Sequence, residues 1–144
     1  MRLSTALVAC RSVDADALRR VPLLAGLPAR DLLQVARRAD AIDVEAGRVL
    51  VGERQAAYQF FLILDGRADV TREGEQVASL EAGDFFGEIG LVETERRTAT
   101  VTAVTPMRLA VIDHSAFLAL TRTIPELARG IQRAVLERLP PPAL

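Results

Sequence analysis

The residues best suited to chemistry lie in one stretch, Gly83-Asp84-Phe85-Phe86-Gly87-Glu88-Ile89-Gly90-Leu91-Val92-Glu93-Thr94-Glu95-Arg96-Arg97-Thr98-Ala99-Thr100-Val101. Gly87 permits a positive φ or close approach by another group. Glu88-Ile89-Gly90-Leu91 suits the start of a helical turn, whose free amides point at an anion. Glu93 to Arg96 reads as a polar loop, and Arg97 falls at the mouth of a strand, aimed back towards the same space. An arginine offers a planar fork of donors to a phosphate. The Glu88 carboxylate repels a phosphate but accepts well from a sugar hydroxyl. The set therefore suits a ligand carrying both groups close together, as a ribose closed into a cyclic phosphate does.

Three blocks of sequence must position that stretch. Asp14 to Arg20 predicts a short helix, with Asp14 or Asp16 at its positive end. Val21 to Pro28 holds too much Pro and Gly to continue it. A second helix is expected to begin near Pro28, with Leu32, Leu33, Val35, Ala36 and Ala39 on one side. From Asp40 the pattern turns strand-like. Ile42 and Val44 alternate with acidic residues, then Val49 to Val51, Phe60 to Leu64, Ala68 to Thr71 and Gln76 to Leu80 follow. Ala46-Gly47, Asp65-Gly66, Glu73-Gly74 and Ala82-Gly83-Asp84 separate these runs. Thr98 to Val104 and Arg108 to Ile112 predict two more strands joined by Thr105-Pro106. Short strands with turn signals between them indicate an antiparallel sandwich or roll. After Asp113 the period is helical again, first over Ser115 to Leu120. Thr123-Ile124-Pro125-Glu126 reads as a capping box opening a helix with Leu127, Ile131, Val135 and Leu139 along one stripe, ended by Pro140-Pro141-Pro142.

Composition narrows the function. The chain has 144 residues, half of them hydrophobic and 26% charged, which fits one globular domain. A formal net charge of −1, without a basic stripe, argues against nucleic acid as the main partner. One cysteine, Cys10, and one histidine, His114, cannot build a disulfide framework or a zinc site. His114 sits at a strand-to-helix corner and reads as a surface turn residue, so no Ser-His-Asp site is expected. Leu7-Val8-Ala9-Cys10 spells a lipoprotein-type box, but the apolar run from Leu3 falls short of a secretory signal. No run approaches the roughly 18 residues of a membrane span. The expectation is a soluble, cytoplasmic chain. Residues 1–13 would be a leader and 14–144 a single domain: helical entry 14–39, β-roll 40–113 and exit helices 115–139.

The stretch from Phe86 resembles the phosphate-binding cassette of cyclic-nucleotide-binding domains, a family that includes the bacterial catabolite activator, regulatory subunits of cAMP-dependent kinase and cyclic-nucleotide-gated channels. Phe86-Gly87-Glu88, Gly90-Leu91 and Arg97-Thr98-Ala99-Thr100-Val101 stand at the family spacing. The resemblance runs from about Leu18 to Leu139 and takes in Val21-Pro22-Leu23-Leu24, Phe60 to Gly66, Phe117 and Pro125-Glu126-Leu127. Two departures stand out. Arg54 and Ala57-Tyr58 occupy places where the family usually has turn glycines, and Arg96 stands where proline is common.

The resemblance implies a mainly β fold with flanking helices, an antiparallel β-roll or jelly roll with N-terminal helices and a C-terminal lid helix. It implies a non-catalytic sensor with no cofactor, whose ligand is cAMP or cGMP. By position, Arg97 would hold the cyclic phosphate and Glu88 the ribose 2′-hydroxyl. Amides at Gly87, Gly90 and Ala99 would add donors. Ile89 and Leu91 complete the turn, and Thr98 would bond the phosphate or the base. Binding would shift the exit helix, which would act on a homodimer partner or a separate effector; neither nucleic acid nor membrane insertion is expected.

Plainer readings compete. Arg97 could pair with Glu88, Glu93 or Glu95 in an empty turn, leaving a ligand-free scaffold with the same fold. Thr100 and Thr102 read as an ordinary strand face, Leu127, Ile131 and Val135 as core, and Tyr58 as a surface plug. Arg129, Arg133 and Arg138, like Arg37-Arg38, read as solvated faces. A metal-dependent jelly-roll enzyme would need two or three strand histidines, which the sequence lacks.

Overall fold

A computed structural model of the chain describes residues 11–52, 59–86 and 99–138. The chain enters through strand β1 (Arg11–Ser12) and three helices, α1 (Ala15–Leu18), α2 (Pro22–Ala25) and α3 (Ala29–Arg38). Eight strands follow: β2 (Asp40–Val44), β3 (Val49–Val51), β4 (Gln59–Asp65), β5 (Arg67–Arg72), β6 (Glu75–Glu81), β7 (Phe85–Phe86), β8 (Thr100–Ala103) and β9 (Met107–Asp113). Helices α4 (His114–Thr123) and α5 (Pro125–Arg138) close the described part. The strands form two antiparallel sheets, ordered β1-β2-β9-β4-β7 and β3-β8-β5-β6. The chain passes repeatedly from one sheet to the other, which makes the body a roll.

Strand alternation divides the interior into two cores. Side chains on a strand point alternately to opposite faces, so the unbroken apolar run of β4 serves both. Phe60, Leu62 and Leu64 pack against the helices, while Phe61 and Ile63 pack between the sheets. Strand β9 divides the same way, with Ala110 and Ile112 towards the helices and Met107, Leu109 and Val111 inside the roll. This two-sided burial explains why these strands read as continuous apolar runs. The helical layer contributes Leu18, Leu24, Leu32, Val35, Phe117 and Leu120 to the first core.

Local chemistry sets the helix ends. The Asp14 side chain accepts from the amide of Asp16 at 3.0 Å and caps α1. Asp113 does the same for α4, accepting from the amide of Ala116 at 2.9 Å. His114 is the first residue of α4 and is exposed, as a corner residue should be.

Several elements differ from the sequence reading. Residues Arg11–Ser12, placed in a leader, form β1 against β2, and Val13 is buried. The Val21–Pro28 stretch does end α1, yet Pro22 at the first helical position winds residues 22–25 into α2 and buries Leu24. Proline's fixed φ suits that position. Leu33, expected on the buried stripe of α3, is 47% exposed. Leu33 lies about 100° round the helix from Leu32 and about 200° from Val35, off the face shared by Leu32, Val35 and Ala36.

The capping box is also shifted. Thr123 is the last residue of α4, and its hydroxyl donates to the Ala119 carbonyl at 2.7 Å. Ile124, extended at φ −118° and ψ 91°, occupies the position before α5 instead. Pro125 keeps its predecessor out of the helical region, so the break falls one residue later than the motif suggests. Among the described residues strand β8 begins at Thr100, after a bend at Ala99, and Thr98 lies outside them.

Candidate functional site

Of the residues singled out by sequence, Gly87, Glu88, Ile89, Gly90, Leu91, Arg97 and Thr98 lie outside the described residues, as does Tyr58. The structure describes the two ends of the stretch that carries them. Its entry is β7, hydrogen-bonded to β4 through the pairs Phe61 with Phe86 and Leu62 with Phe85. Its exit is Ala99, a half-buried bend that leads into β8. Strand β7 ends the order of one sheet, whereas β8 lies inside the other between β3 and β5. Residues 87–98 therefore connect the edge of one sheet to the interior of its neighbour.

Both ends are firmly held. Phe85 joins the helix-side core, with its ring 5.5 Å from that of Phe60, which in turn lies 4.8 Å from Phe117. Phe86 turns the other way and stacks on Phe61, centroids 4.6 Å apart and planes 5° from parallel. Two adjacent phenylalanines thus tie one end of the cassette to both cores, a preference that aromatic pairs reinforce. The turn before them is held by Asp84, whose carboxylate accepts from the Glu81 amide at 2.8 Å. The Ile63 amide donates to the Asp84 carbonyl at 2.9 Å, and the Gly83 amide to the Ile63 carbonyl at 2.9 Å. At the far end, Val101 and Ala103 are buried in the roll, and Thr100 and Thr102 are half-buried on the opposite face of β8.

Sequence reasoning named Phe86 as part of the motif but missed the division of labour between Phe85 and Phe86. The signal was present, since two aromatics straight after a Gly-Asp turn must face opposite sides if the chain is extended. The positioning role of Asp84 was also missed. An aspartate whose carboxylate accepts from a backbone amide two or three residues away is a common local turn motif.

Helix α5 shares a groove with Phe85. Leu127 and Ile131 are buried in the helix-side core, as a core stripe would be. Ile124 is buried at its start. Arg129 and Arg133 are exposed. Phe85 lies at the foot of a groove between α2 and α5, where Leu23 and Leu27 face Gly130. A Cβ at Gly130 would come within 2.7 Å of Leu23 Cδ1, so a side chain there would require the tip of Leu23 to move.

Away from the cassette, Arg108 forms a two-point ion pair with Asp43 across β2 and β9, at 2.8 and 3.1 Å. Hydrogen bonding to Asp43, then its charge, raises the guanidinium pKa above the ordinary value. This pair is directly cross-strand and belongs to the sheet. Among the described residues no group of three or more His, Cys, Asp or Glu side chains is placed to hold a metal ion. No described helix is long and apolar enough to cross a membrane.

Comparison with known proteins returns one consistent likeness. The family model described as cyclic nucleotide-binding domain matches residues 41–123. A cAMP-dependent protein kinase regulatory subunit of Yarrowia lipolytica is 36% identical over 112 residues, 76% of this chain and 30% of that protein. A cyclic nucleotide-gated potassium channel of Rhizobium etli is 35% identical over 118 residues, 82% of this chain and 33% of the channel. The chain thus spans about a third of the length of these curated relatives. The regulatory domain of Toxoplasma gondii PKA, solved with cAMP, superposes with a TM-score of 0.75 at 24% identity, covering 84% of this chain and 48% of that one. That last likeness is one of fold.

Proposed function

The chain belongs to the cyclic nucleotide-binding domain family, and on that premise we propose that it is a regulatory module that holds a cyclic nucleotide without transforming it. The observation that carries this reading is the complete cassette from Phe86 to Val101 within a matching family fold. Arg97 binds the cyclic phosphate through its fork of donors. Glu88 accepts from the ribose 2′-hydroxyl, and the amides of Gly87, Gly90 and Ala99 complete the anion site. Ile89 and Leu91 hold the turn between them, and Thr98 reaches the phosphate or the base.

Relatives named for cAMP favour cAMP as the ligand, with cGMP bound no better. The held ends of the cassette support a mechanism. With Phe85 and Phe86 anchored and β8 inside a sheet, a ligand gathers the intervening residues without moving the roll. Helix α5 then closes over the base, and its new position is the output, read by a second copy or a separate effector. A ligand moves that equilibrium only by its difference in affinity for the two arrangements. We place residues 11–138 in one such domain, since β1 joins the sheet and Val13 its core, acting in the cytoplasm.

A melting experiment tests the reading. A nucleotide at a hundred times its Kd adds about 2.7 kcal/mol to the stability of the folded state. At this size each kcal/mol moves Tm by roughly 2–4 °C, so cAMP should raise Tm by several degrees. If neither cAMP nor cGMP at millimolar concentration shifts the transition, the ligand-free scaffold is the correct reading.

A further inference from the structure

The groove between α2 and α5 has chemistry that the cassette does not use. It is an open groove of about 640 Å³, within the size range of ordinary binding clefts. Its apolar surface comes from Leu23, Leu27 and Phe85, and its α5 wall carries Arg129 and Arg133. Leu27 and Phe85 are buried, whereas both arginines are exposed and one helical turn apart. Side chains at that spacing stand on one face of a helix. Glu126 is the acidic residue among those lining the groove.

The charge of the groove continues a larger asymmetry that the net charge hides. The helical layer, residues 14–39 and 114–138, holds nine arginines against five carboxylates. Residues 40–113 hold seven arginines against fourteen carboxylates. Every one of the eighteen basic residues is an arginine. Arg19, Arg20, Arg30, Arg37 and Arg122 are exposed on the same layer as Arg129 and Arg133.

We infer that the α2–α5 groove is a docking site for an acidic, amphipathic segment of a partner protein. An apolar side chain of that segment rests on Leu23, Leu27 and Phe85, and two of its carboxylates pair with Arg129 and Arg133. Arginine's planar fork suits carboxylates in particular. The wider basic layer steers such a partner towards the groove and repels a basic one. A polynucleotide fits less well, because the groove is lined by apolar Leu23, Leu27 and Phe85 as well as by the arginines. The proposal goes beyond the output suggested above by naming the partner's chemistry. Nucleotide titration tests that reading and peptide selection tests this one, so either can fail alone.

The test is selection of a random-peptide phage library on the ligand-free chain, followed by fluorescence polarisation of the enriched peptides. The expected peptides are rich in Asp and Glu around a Leu or Phe, and their affinity falls with added salt. The double variant Arg129→Glu/Arg133→Glu should weaken them at least tenfold, with circular dichroism and Tm unchanged because both side chains are exposed. Should the reversal disturb folding, Arg129→Gln/Arg133→Gln carries the same test by neutralisation alone. The proposal is overturned if no peptide is enriched, if the enriched sequences are not acidic, or if binding survives both double variants. It is equally overturned if the parent binds duplex DNA in place of acidic peptides and the variants lose that binding.

Discussion

At the scale of single residues, the account rests on a division of tasks between one arginine and one glutamate. On the proposed reading, Arg97→Ala removes a charge-assisted partner of the cyclic phosphate and should cost about 2–4 kcal/mol of binding. That corresponds to a loss of roughly 30- to 1000-fold in affinity. Arg97→Lys keeps the charge but not the planar fork, so it should recover only part of that loss. Glu88→Gln should be milder, and its effect should largely vanish when the ligand is a 2′-deoxy cyclic nucleotide with no hydroxyl to donate. Binding curves for the three variants and two ligands check the whole pattern. An Arg97→Ala protein that stays folded and binds like the parent would make Arg97 a structural residue.

At the scale of elements, the turn that joins β4 to β5 offers a clean comparison. Gly66 has φ +98°, and a Cβ there would sit 2.5 Å from the Pro106 carbonyl oxygen and 2.8 Å from Met107 Cα. Gly47 has φ +91° but nothing within 4 Å of such an atom. Gly47→Ala should therefore cost only the left-handed backbone penalty, about 1–2 kcal/mol. Gly66→Ala should cost that plus the displacement of backbone, and urea midpoints of the two variants should differ accordingly. Equal losses would show that the Pro106–Met107 turn yields freely. Phe117→Ala, which deletes a ring buried beside Phe60, should cost about 3–5 kcal/mol in the same assay. The sequence was most readable where apolar runs are bounded by turn signals. Phe60 to Leu64 and Arg108 to Ile112 read as strands, and the turn glycines marked the breaks between strands. It was least readable where tertiary pairing, not propensity, decides. Two-residue strands such as β1 and β7 show no period, and they exist because β2 and β4 offer open edges. Thr123 looked like a cap because its type is right, but the proline after Ile124 moved the boundary. The candidate site was legible through its motif, whose spacing a single sequence displays. The anchoring of its ends was not, because Phe85 and Phe86 take their meaning from rings distant in sequence.

At the scale of the whole molecule, the helical layer and the roll meet at Phe85. That residue lies in the helix-side core, lines the α2–α5 groove and opens the cassette. On the proposed reading, a ligand held by the cassette would act next to Phe85, which shares a groove with Leu23 and Gly130. Strands β4 and β9, buried on both faces, would be the frame against which such a change is felt. Everything in this picture depends on whether the chain holds a cyclic nucleotide at all. The most direct measurement is isothermal titration calorimetry of the folded chain with cAMP, run beside Arg97→Ala under identical conditions. The account predicts saturable binding of one cAMP per chain, at least as tight as cGMP, and weakened by at least 30-fold in the variant. No heat of binding from the folded parent at millimolar cAMP or cGMP, with the sensitivity checked by a known binder, would contradict it.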